Sequence, residues 1–149
     1  RTFSKAYGMA GLRVGFAIGE KDLILNFEKI RNHFGMSRIS QVGALAALED
    51  YEFISDVINK VKLSRNRIAD IANINNCKFI PSFTNFVAID CLKDSKFAKK
   101  VLENLINNGV FVRMPYSYPQ NRCIRVTVGL DKDIDLFEKY FPVALKKAD

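Results

Sequence analysis

Four polar side chains lie close together at the start of the chain, in a segment otherwise built of glycine and of small or apolar residues. They are Thr2, Ser4, Lys5 and Arg13, and no acidic residue occurs before Glu20. A lysine in such a segment is a candidate for a desolvated amine, because burial lowers a lysine's pKa and a neutral amine can attack a carbonyl to form a Schiff base. Hydroxyl and guanidinium groups can donate hydrogen bonds to an oxyanion such as phosphate. The segment therefore predicts carbonyl chemistry beside an anion site, with a surface lysine in a flexible glycine loop as the alternative.

The spacing within this segment matches a known signature. The run SKAYGMAGLRVG, from Ser4 to Gly15, resembles the cofactor-lysine motif of fold-type I pyridoxal-phosphate aminotransferases, most closely the histidinol-phosphate aminotransferase branch. The resemblance implies that Lys5 forms a Schiff base with pyridoxal 5'-phosphate and that Thr2, Ser4 and Arg13 hold the cofactor phosphate. It also implies transfer of an amino group between histidinol phosphate, or another amino acid, and a 2-oxo acid, by a cytoplasmic homodimer.

A second set of candidate residues lies in the C-terminal half. Arg125 sits in the run CIRVTVG, where alternation along a strand places it opposite its apolar neighbours. A buried arginine needs an anionic partner. The resemblance implies that Arg125 recognises an anionic group of the substrate, that Arg113 helps to hold the substrate phosphate, and that Asn85 lines the active-site side of the small domain. The alternatives are surface salt bridges for the two arginines and a turn or strand cap for Asn85.

The hydrophobic pattern predicts the elements that position these residues. Residues 12–18 predict a buried strand, a helix opens at Asp22, and a polar break over 32–40 ends with Ser40 as the N-cap of the next helix. A proline-free stretch predicts a helix near 41–50, a short break at Asp50-Tyr51 and a long helix to about residue 73. The first of these helices is predicted to pack by an apolar, small-residue face made of Val42, Leu45, Ala46, Ala47 and Leu48. Strands are predicted at 77–81, 85–91, 110–114 and 122–129. A helix capped by Asp94 or Ser95 is predicted to run to about residue 108, and a last helix begins at Asp131 or Asp133, with Pro142 kinking or ending it.

This order of elements predicts an α/β chain whose last part is an α+β small domain, with helices packed on a small sheet that follows a long linker helix. The resemblance implies the C-terminal part of a pyridoxal-phosphate-dependent transferase fold. We therefore divide the chain into a remnant of the large cofactor-binding domain at 1–35, interdomain helices at 36–73, and the small domain at 74–149.

Composition excludes several other classes of protein. The 149 residues are 48% hydrophobic with a formal net charge of +7, which fits a globular domain with a scattered basic surface better than a nucleic-acid binder. No apolar run is long enough for a membrane helix. Three widely spaced cysteines argue against a disulfide framework or a zinc site and fit a reducing cytoplasm. Dinucleotide, P-loop and serine-hydrolase motifs are missing, and we expect no metal site.

The chain begins in the middle of the motif, at Arg1 rather than at methionine, so we expect it to be part of a longer protein. In the family, the preceding region supplies the aspartate that pairs with the pyridine nitrogen and the aromatic ring that stacks on the cofactor. We therefore expect the 149 residues alone to be inactive. The alternatives are another fold-type I enzyme, such as an aromatic aminotransferase or a threonine-phosphate decarboxylase, and a non-catalytic dimerisation or binding module. A nucleic-acid binder ranks third.

Overall fold

Five α-helices and three β-strands form in the computed structural model, which describes every residue from Arg1 to Asp149. Two short 3-10 turns, at Ala10–Leu12 and Gln120–Arg122, complete the regular structure. The chain divides into two compact units, Arg1–Asn59 and Lys60–Asp149. The elements are α1 at Lys21–Ile30, α2 at Arg38–Glu49, α3 at Tyr51–Ile74, β1 at Lys78–Ile80, β2 at Phe86–Asp90, α4 at Ser95–Asn107, β3 at Cys123–Thr127 and α5 at Asp131–Ala148.

The first unit begins with a segment that folds back on itself. Thr2 and Gly15 form an isolated antiparallel bridge, and the Phe3 N–H donates to the Val14 carbonyl at 3.2 Å. Gly15 is required by this close approach, because a Cβ there would lie 2.6 Å from the Arg1 carbonyl oxygen. The bridge brings the start of the chain against the residues that follow the 3-10 turn.

The predicted buried strand over residues 12–18 is wrong. Gly15 is the only residue of this range in a β-bridge, and Ile18 is 89% exposed. The alternating apolar pattern is present, but the bridge to Thr2 is the only pairing that the segment makes. An apolar run without neighbouring strands does not extend into a sheet.

Helix α2 packs on this folded-back segment through its small residues. Buried Ala44 forms a cluster with Phe3 and Val14, whereas the predicted apolar face is exposed at Val42 and Leu45. The predicted N-cap was also one turn late. Ser37 caps α2, and its hydroxyl oxygen accepts from the Ser40 N–H at 3.0 Å.

The predicted helix pair, with its break at Asp50, is confirmed by α2 and α3. Asp50 separates the two helices and its carboxylate accepts from the Phe53 N–H at 3.0 Å. Helix α3 runs for 24 residues. The predicted division of the chain at 35/36 and 73/74 stays a prediction. The boundary between the two compact units falls elsewhere, between Asn59 and Lys60.

The second unit contains an antiparallel sheet in the order β1-β2-β3. Because side chains alternate along a strand, one face of β2 and β3 carries buried Val87, Ile89, Ile124 and Val126. These residues belong to one core together with apolar residues of α3, α4 and α5. The opposite face pairs Ala88 with Arg125. The predicted α/β class, with helices packed on a small sheet, is confirmed.

Two predicted boundaries in this unit differ from the structure. Residues 110–114 do not form a strand, because Arg113 alone bridges to β3. Pro142 does not end the last helix, which continues to Ala148. The turns on both sides of Pro142 bury Phe141 and Ala144 completely. That burial outweighs the one backbone hydrogen bond that proline cannot donate.

The structure also bears on membrane proteins, disulfide-linked proteins and metalloproteins. Helix length and hydropathy together rule out a membrane span for each of the five helices. The three cysteines are buried and unpaired. No group of histidine, cysteine and carboxylate side chains is placed to hold a metal ion.

Candidate functional site

Thr2 and Ser4 form a small hydroxyl cluster next to Lys5. The Thr2 hydroxyl donates to Ser4 Oγ at 2.9 Å, and the Ser4 N–H donates to Thr2 Oγ1 at 3.1 Å. Serine and threonine hydroxyls form side-chain turns of this kind with nearby backbone N–H groups. The two predicted phosphate ligands are therefore together, in a segment held by the bridge between Thr2 and Gly15.

Arg13 lies beside this cluster through the backbone. Ser4 follows Phe3 and Arg13 precedes Val14, so the hydrogen bond from Phe3 to Val14 brings the two residues' main chains near each other. Arg13 adopts the left-handed conformation, with φ 50° and ψ 49°, where it ends the 3-10 turn. Its guanidinium donates one hydrogen bond, to the Ala10 carbonyl at 2.7 Å. No hydrogen bond joins the guanidinium to either hydroxyl.

Lys5 occupies a tight turn. Its carbonyl accepts from the Gly8 N–H at 2.8 Å, and Gly8 has the positive φ of 67° that this turn needs. The Lys5 side chain is exposed, and its amine makes no hydrogen bond or ion pair. The expectation of a desolvated amine is therefore wrong for this chain as it stands, because no described residue covers Lys5.

The donors around Lys5 fit a phosphate group. Two hydroxyls, the free N–H groups of Arg13 and an unpaired amine are all compatible with an oxyanion. None of them is engaged with a carboxylate. A Cβ added at Gly8 or Gly11 would meet nothing within 4 Å, so the surface beside the donors is open. The residues present therefore fit the phosphate of the cofactor that the motif implies.

In the second unit, Arg113 and Arg125 are directly paired. The Arg113 N–H donates to the Arg125 carbonyl at 3.1 Å, and the Arg125 N–H donates back at 2.6 Å. Residues paired in this way project their side chains to the same face of the sheet. Arg125 Cζ lies 4.9 Å from the centre of the Phe86 ring, and its Nε is buried without a hydrogen-bond partner.

The two arginines line a groove of about 840 Å³. Helix α4 contributes Lys96 and Lys99 to this groove, and the loop that follows Arg113 contributes Tyr116. No acidic residue lines it. Lys99 pairs with Glu103 at 3.9 Å, outside the groove lining. The other three cations have no carboxylate partner, and one of them has a buried unpartnered N–H, so the groove suits an anion.

Arg122 shows what a structural arginine looks like in the same region. Its Nε donates to Asp90 Oδ2 at 3.0 Å, and Asp90 is 7% exposed. The hydrogen bond to Asp90 raises the pKa of Arg122. The other Asp90 oxygen accepts from the Leu92 N–H at 2.8 Å. Arg122 is thus satisfied within the fold, whereas Arg125, three residues later, is not.

Asn85 is not brought to the arginine pair by any direct contact. Its carbonyl accepts from the Val128 N–H at 2.9 Å, and its side chain is half-buried. Its predicted role stays a prediction. No sequence pattern marks Lys96, Lys99 or Tyr116 as groove residues, because a lysine on a helix has the same local pattern whether it faces solvent or a groove. Ser40 was predicted as an N-cap, whereas its hydroxyl donates to the Leu12 carbonyl.

Comparison with known proteins finds an aminotransferase family over most of the chain. The family of class I and II aminotransferases matches residues 1–136. The histidinol-phosphate aminotransferase of Aliarcobacter butzleri is 39% identical over 128 residues, which are 86% of this chain and 34% of that protein. The chain thus spans about a third of the length of such relatives.

Solved structures of similar proteins have the same fold as this chain. The histidinol-phosphate aminotransferase of Sinorhizobium meliloti, in complex with pyridoxal-5'-phosphate, has a TM-score of 0.94 at 43% identity and covers all of this chain and 41% of its own. The L-threonine-O-3-phosphate decarboxylase of Porphyromonas gingivalis has a TM-score of 0.78 at 17% identity, over 97% of this chain and 45% of its own. The second likeness shows the fold alone. From the family match and the lysine segment together, this chain belongs to the class I and II aminotransferase family.

Proposed function

We propose that the protein containing this chain is a pyridoxal-phosphate-dependent aminotransferase that acts on histidinol phosphate. The observation that carries the proposal is the pairing of Arg113 and Arg125 on one face of a groove without acidic residues. An aminotransferase for a phosphorylated or carboxylated substrate needs such a place for the anionic end of that substrate.

The lysine segment is assigned to the cofactor. Thr2, Ser4 and Arg13 would hold the phosphate, and the Lys5 amine would attach the cofactor covalently. When bound, pyridoxal phosphate supplies a carbonyl carbon for the amine and a conjugated ring that stabilises negative charge on the substrate. Lys5 Nζ, once released, takes the proton from the substrate carbon as a general base.

The arginine pair is assigned to the substrate. Arg125 offers a guanidinium whose Nε–H is already desolvated and unpaired, so binding an anion satisfies a donor that the fold leaves open. Arg113 presents a second guanidinium from the paired position. Asn85 is assigned to substrate binding from the active-site side of the small domain, as the family resemblance implies, without a contact to the arginine pair.

The 149 residues on their own are proposed to hold the cofactor weakly and not to turn over. The support is that Lys5 is exposed and that no carboxylate contacts the lysine segment. The test is to add stoichiometric pyridoxal phosphate and record the visible absorbance of the lysine-bound cofactor. A full-strength band that disappears in Lys5→Ala would refute this part of the proposal.

Substrate choice is tested separately. A protein of the relatives' length that contains this chain is assayed for amino transfer from histidinol phosphate, from aromatic amino acids and from aliphatic amino acids. The proposal predicts that histidinol phosphate gives the highest kcat/KM. Preference for an aromatic donor, or release of carbon dioxide, would favour the other fold-type I enzymes instead.

Assembly and compartment complete the proposal. A homodimer is supported by exposed apolar residues in the first unit, such as Phe27 and Ile30 of α1 and Phe34 after it, because large exposed apolar groups indicate an interface. A reducing cytoplasm is supported by the three unpaired cysteines. The partners are small amino-acid and 2-oxo-acid substrates, with neither nucleic acid nor membrane.

A further inference from the structure

Ser40 is a buried polar residue with an unusual set of contacts. It is 3% exposed and lies in the first turn of α2. Its hydroxyl donates to the Leu12 carbonyl at 2.7 Å and lies 2.8 Å from Ser37 Oγ. Because the N-cap function belongs to Ser37, the Ser40 hydroxyl is free to serve a partner 28 residues away in the sequence.

The carbonyl that Ser40 holds belongs to the peptide unit between Leu12 and Arg13. Fixing that peptide plane limits rotation about the φ angle of Arg13. Arg13 sits in the left-handed region, with φ 50°, which is unfavourable for a residue other than glycine and persists where its surroundings enforce it. The hydrogen bond from Ser40 is such a restraint.

The packing around this hydrogen bond is close. One turn along α2, a Cβ added at Gly43 would lie 3.2 Å from Met9 Cε and 3.3 Å from Leu12 Cδ1. Ala44, beside Gly43, is buried in the cluster with Phe3 and Val14. The helix therefore approaches the lysine segment closely enough for a short serine side chain to reach its backbone.

We propose that Ser40 is a positioning residue for the phosphate site, which acts by holding the peptide between Leu12 and Arg13 so that the Arg13 guanidinium is preorganised for an anion. The proposal rests on the assignment of Arg13 to the cofactor phosphate. It adds a residue that touches no ligand and whose effect passes entirely through Arg13.

The experiment uses the 149-residue chain with inorganic phosphate as the probe. NMR gives two readouts, the Cα and Cβ chemical shifts of Arg13, which report its backbone conformation, and the phosphate-dependent shift of its resonances. Ser40→Ala is expected to move the Arg13 carbon shifts away from left-handed values. It is also expected to weaken phosphate binding roughly threefold to tenfold, as for loss of one buried hydrogen bond.

Ser37→Ala is the matched control. It removes the helix cap and the other hydroxyl partner of Ser40 but leaves the bond to Leu12 in place. Its Arg13 shifts and phosphate affinity are expected to stay at wild-type values. Wild-type behaviour of Ser40→Ala, or equal losses in the two variants, would overturn the proposal.

A second variant decides the matter if Ser40→Ala does not fold. Ser40→Cys keeps a side chain of similar size but puts the weak S–H donor in place of the hydroxyl. It is expected to weaken phosphate binding without loss of helix content, and unchanged binding together with unchanged Arg13 carbon shifts would overturn the proposal. If the assignment of Arg13 to phosphate is itself wrong, the wild-type chain will show no phosphate response. The Arg13 carbon shifts would still differ between Ser40→Ala and Ser37→Ala in that case. Equal carbon shifts in those two variants would overturn the positioning role in that case too.

Discussion

Arg113 and Arg125 exchange both backbone hydrogen bonds, at 3.1 and 2.6 Å, so that two cations project from neighbouring chain segments on one face of the sheet. Like charges placed directly opposite each other destabilise a sheet. No carboxylate lines their groove. The fold thus keeps two like charges together on a face where an anion would be favourable.

Replacing Arg125 with methionine should separate stability from binding. Arg125→Met removes a buried Nε–H that has no partner and relieves repulsion with Arg113, whereas it loses only the contact with the Phe86 ring. The free energy of unfolding is expected to rise by up to about 1 kcal/mol. Urea denaturation measures this, and phosphate titration should show weaker binding to the groove in the same variant.

Arg122→Met is the control for that substitution. It leaves the carboxylate of Asp90 buried without its cation, so the urea midpoint should fall instead of rising. A fall of similar size in both variants would contradict the view that Arg125 is unsatisfied in the fold.

The lysines of α4 should contribute to anion binding in the groove. Lys96→Gln is expected to lower the affinity for inorganic phosphate severalfold. The effect should be larger at low ionic strength, because salt screens the attraction between the lysine and the phosphate. Lys139→Gln on α5, a lysine that does not line this groove, should leave the affinity unchanged. Equal effects of the two variants would indicate a response to net charge alone.

Gly15→Ala should open the folded-back segment. Its Cβ would meet the Arg1 carbonyl oxygen at 2.6 Å, which forces the bridge between Thr2 and Gly15 apart. The Phe3 and Phe16 amides, which donate across this pairing, are expected to exchange faster with solvent by NMR. Gly11→Ala, where a Cβ meets nothing within 4 Å, serves as the control and should leave both exchange rates unchanged.

Stability should fall in mildly alkaline solution because of Cys91. The hydrogen bond with Cys77, and then burial, raise the pKa of the Cys91 thiol in the folded chain. An unfolded thiol ionises at about pH 8.5, so above that pH the unfolded state releases a proton that the folded state retains. The same hydrogen bond lowers the pKa of Cys77, which offsets part of this effect. The free energy of unfolding should therefore decrease by less than about 1.4 kcal/mol per pH unit as the pH rises from that value.

Cys91→Ala tests the origin of this slope. The variant is less stable at neutral pH because it loses buried volume, yet its stability should depend less steeply on pH above 8.5. Urea unfolding of both proteins over the alkaline range measures the difference. Parallel slopes would assign the pH dependence to other groups.

Most of the second unit was predictable from the sequence, because its apolar residues follow the periods of strands and helices. Ile124 and Val126 are buried on either side of half-buried Arg125, as alternation requires. Asp94, one of the two predicted caps, is the N-cap of α4. In such segments the local pattern and the tertiary burial agree.

The predictions for the first unit were wrong where the structure depends on contacts between residues far apart in the sequence. Residues 12–18 have the composition of a strand, but strand formation depends on neighbours that only tertiary structure supplies. The face by which α2 packs was misassigned because its small residues, Gly43 and Ala44, make the contact instead of Val42 and Leu45. The role of Ser40 depends on a contact with Leu12 far away in the sequence.

Covalent trapping measures whether pyridoxal phosphate attaches to Lys5. The 149-residue chain is incubated with excess pyridoxal phosphate, reduced with borohydride and digested for mass spectrometry. Because Thr2, Ser4 and Arg13 are assigned to the phosphate, the phosphopyridoxyl group is expected to accumulate on Lys5 ahead of the other lysines, and Arg13→Ala is expected to reduce this preference. An even distribution over the exposed lysines, unchanged by Arg13→Ala, would contradict this assignment.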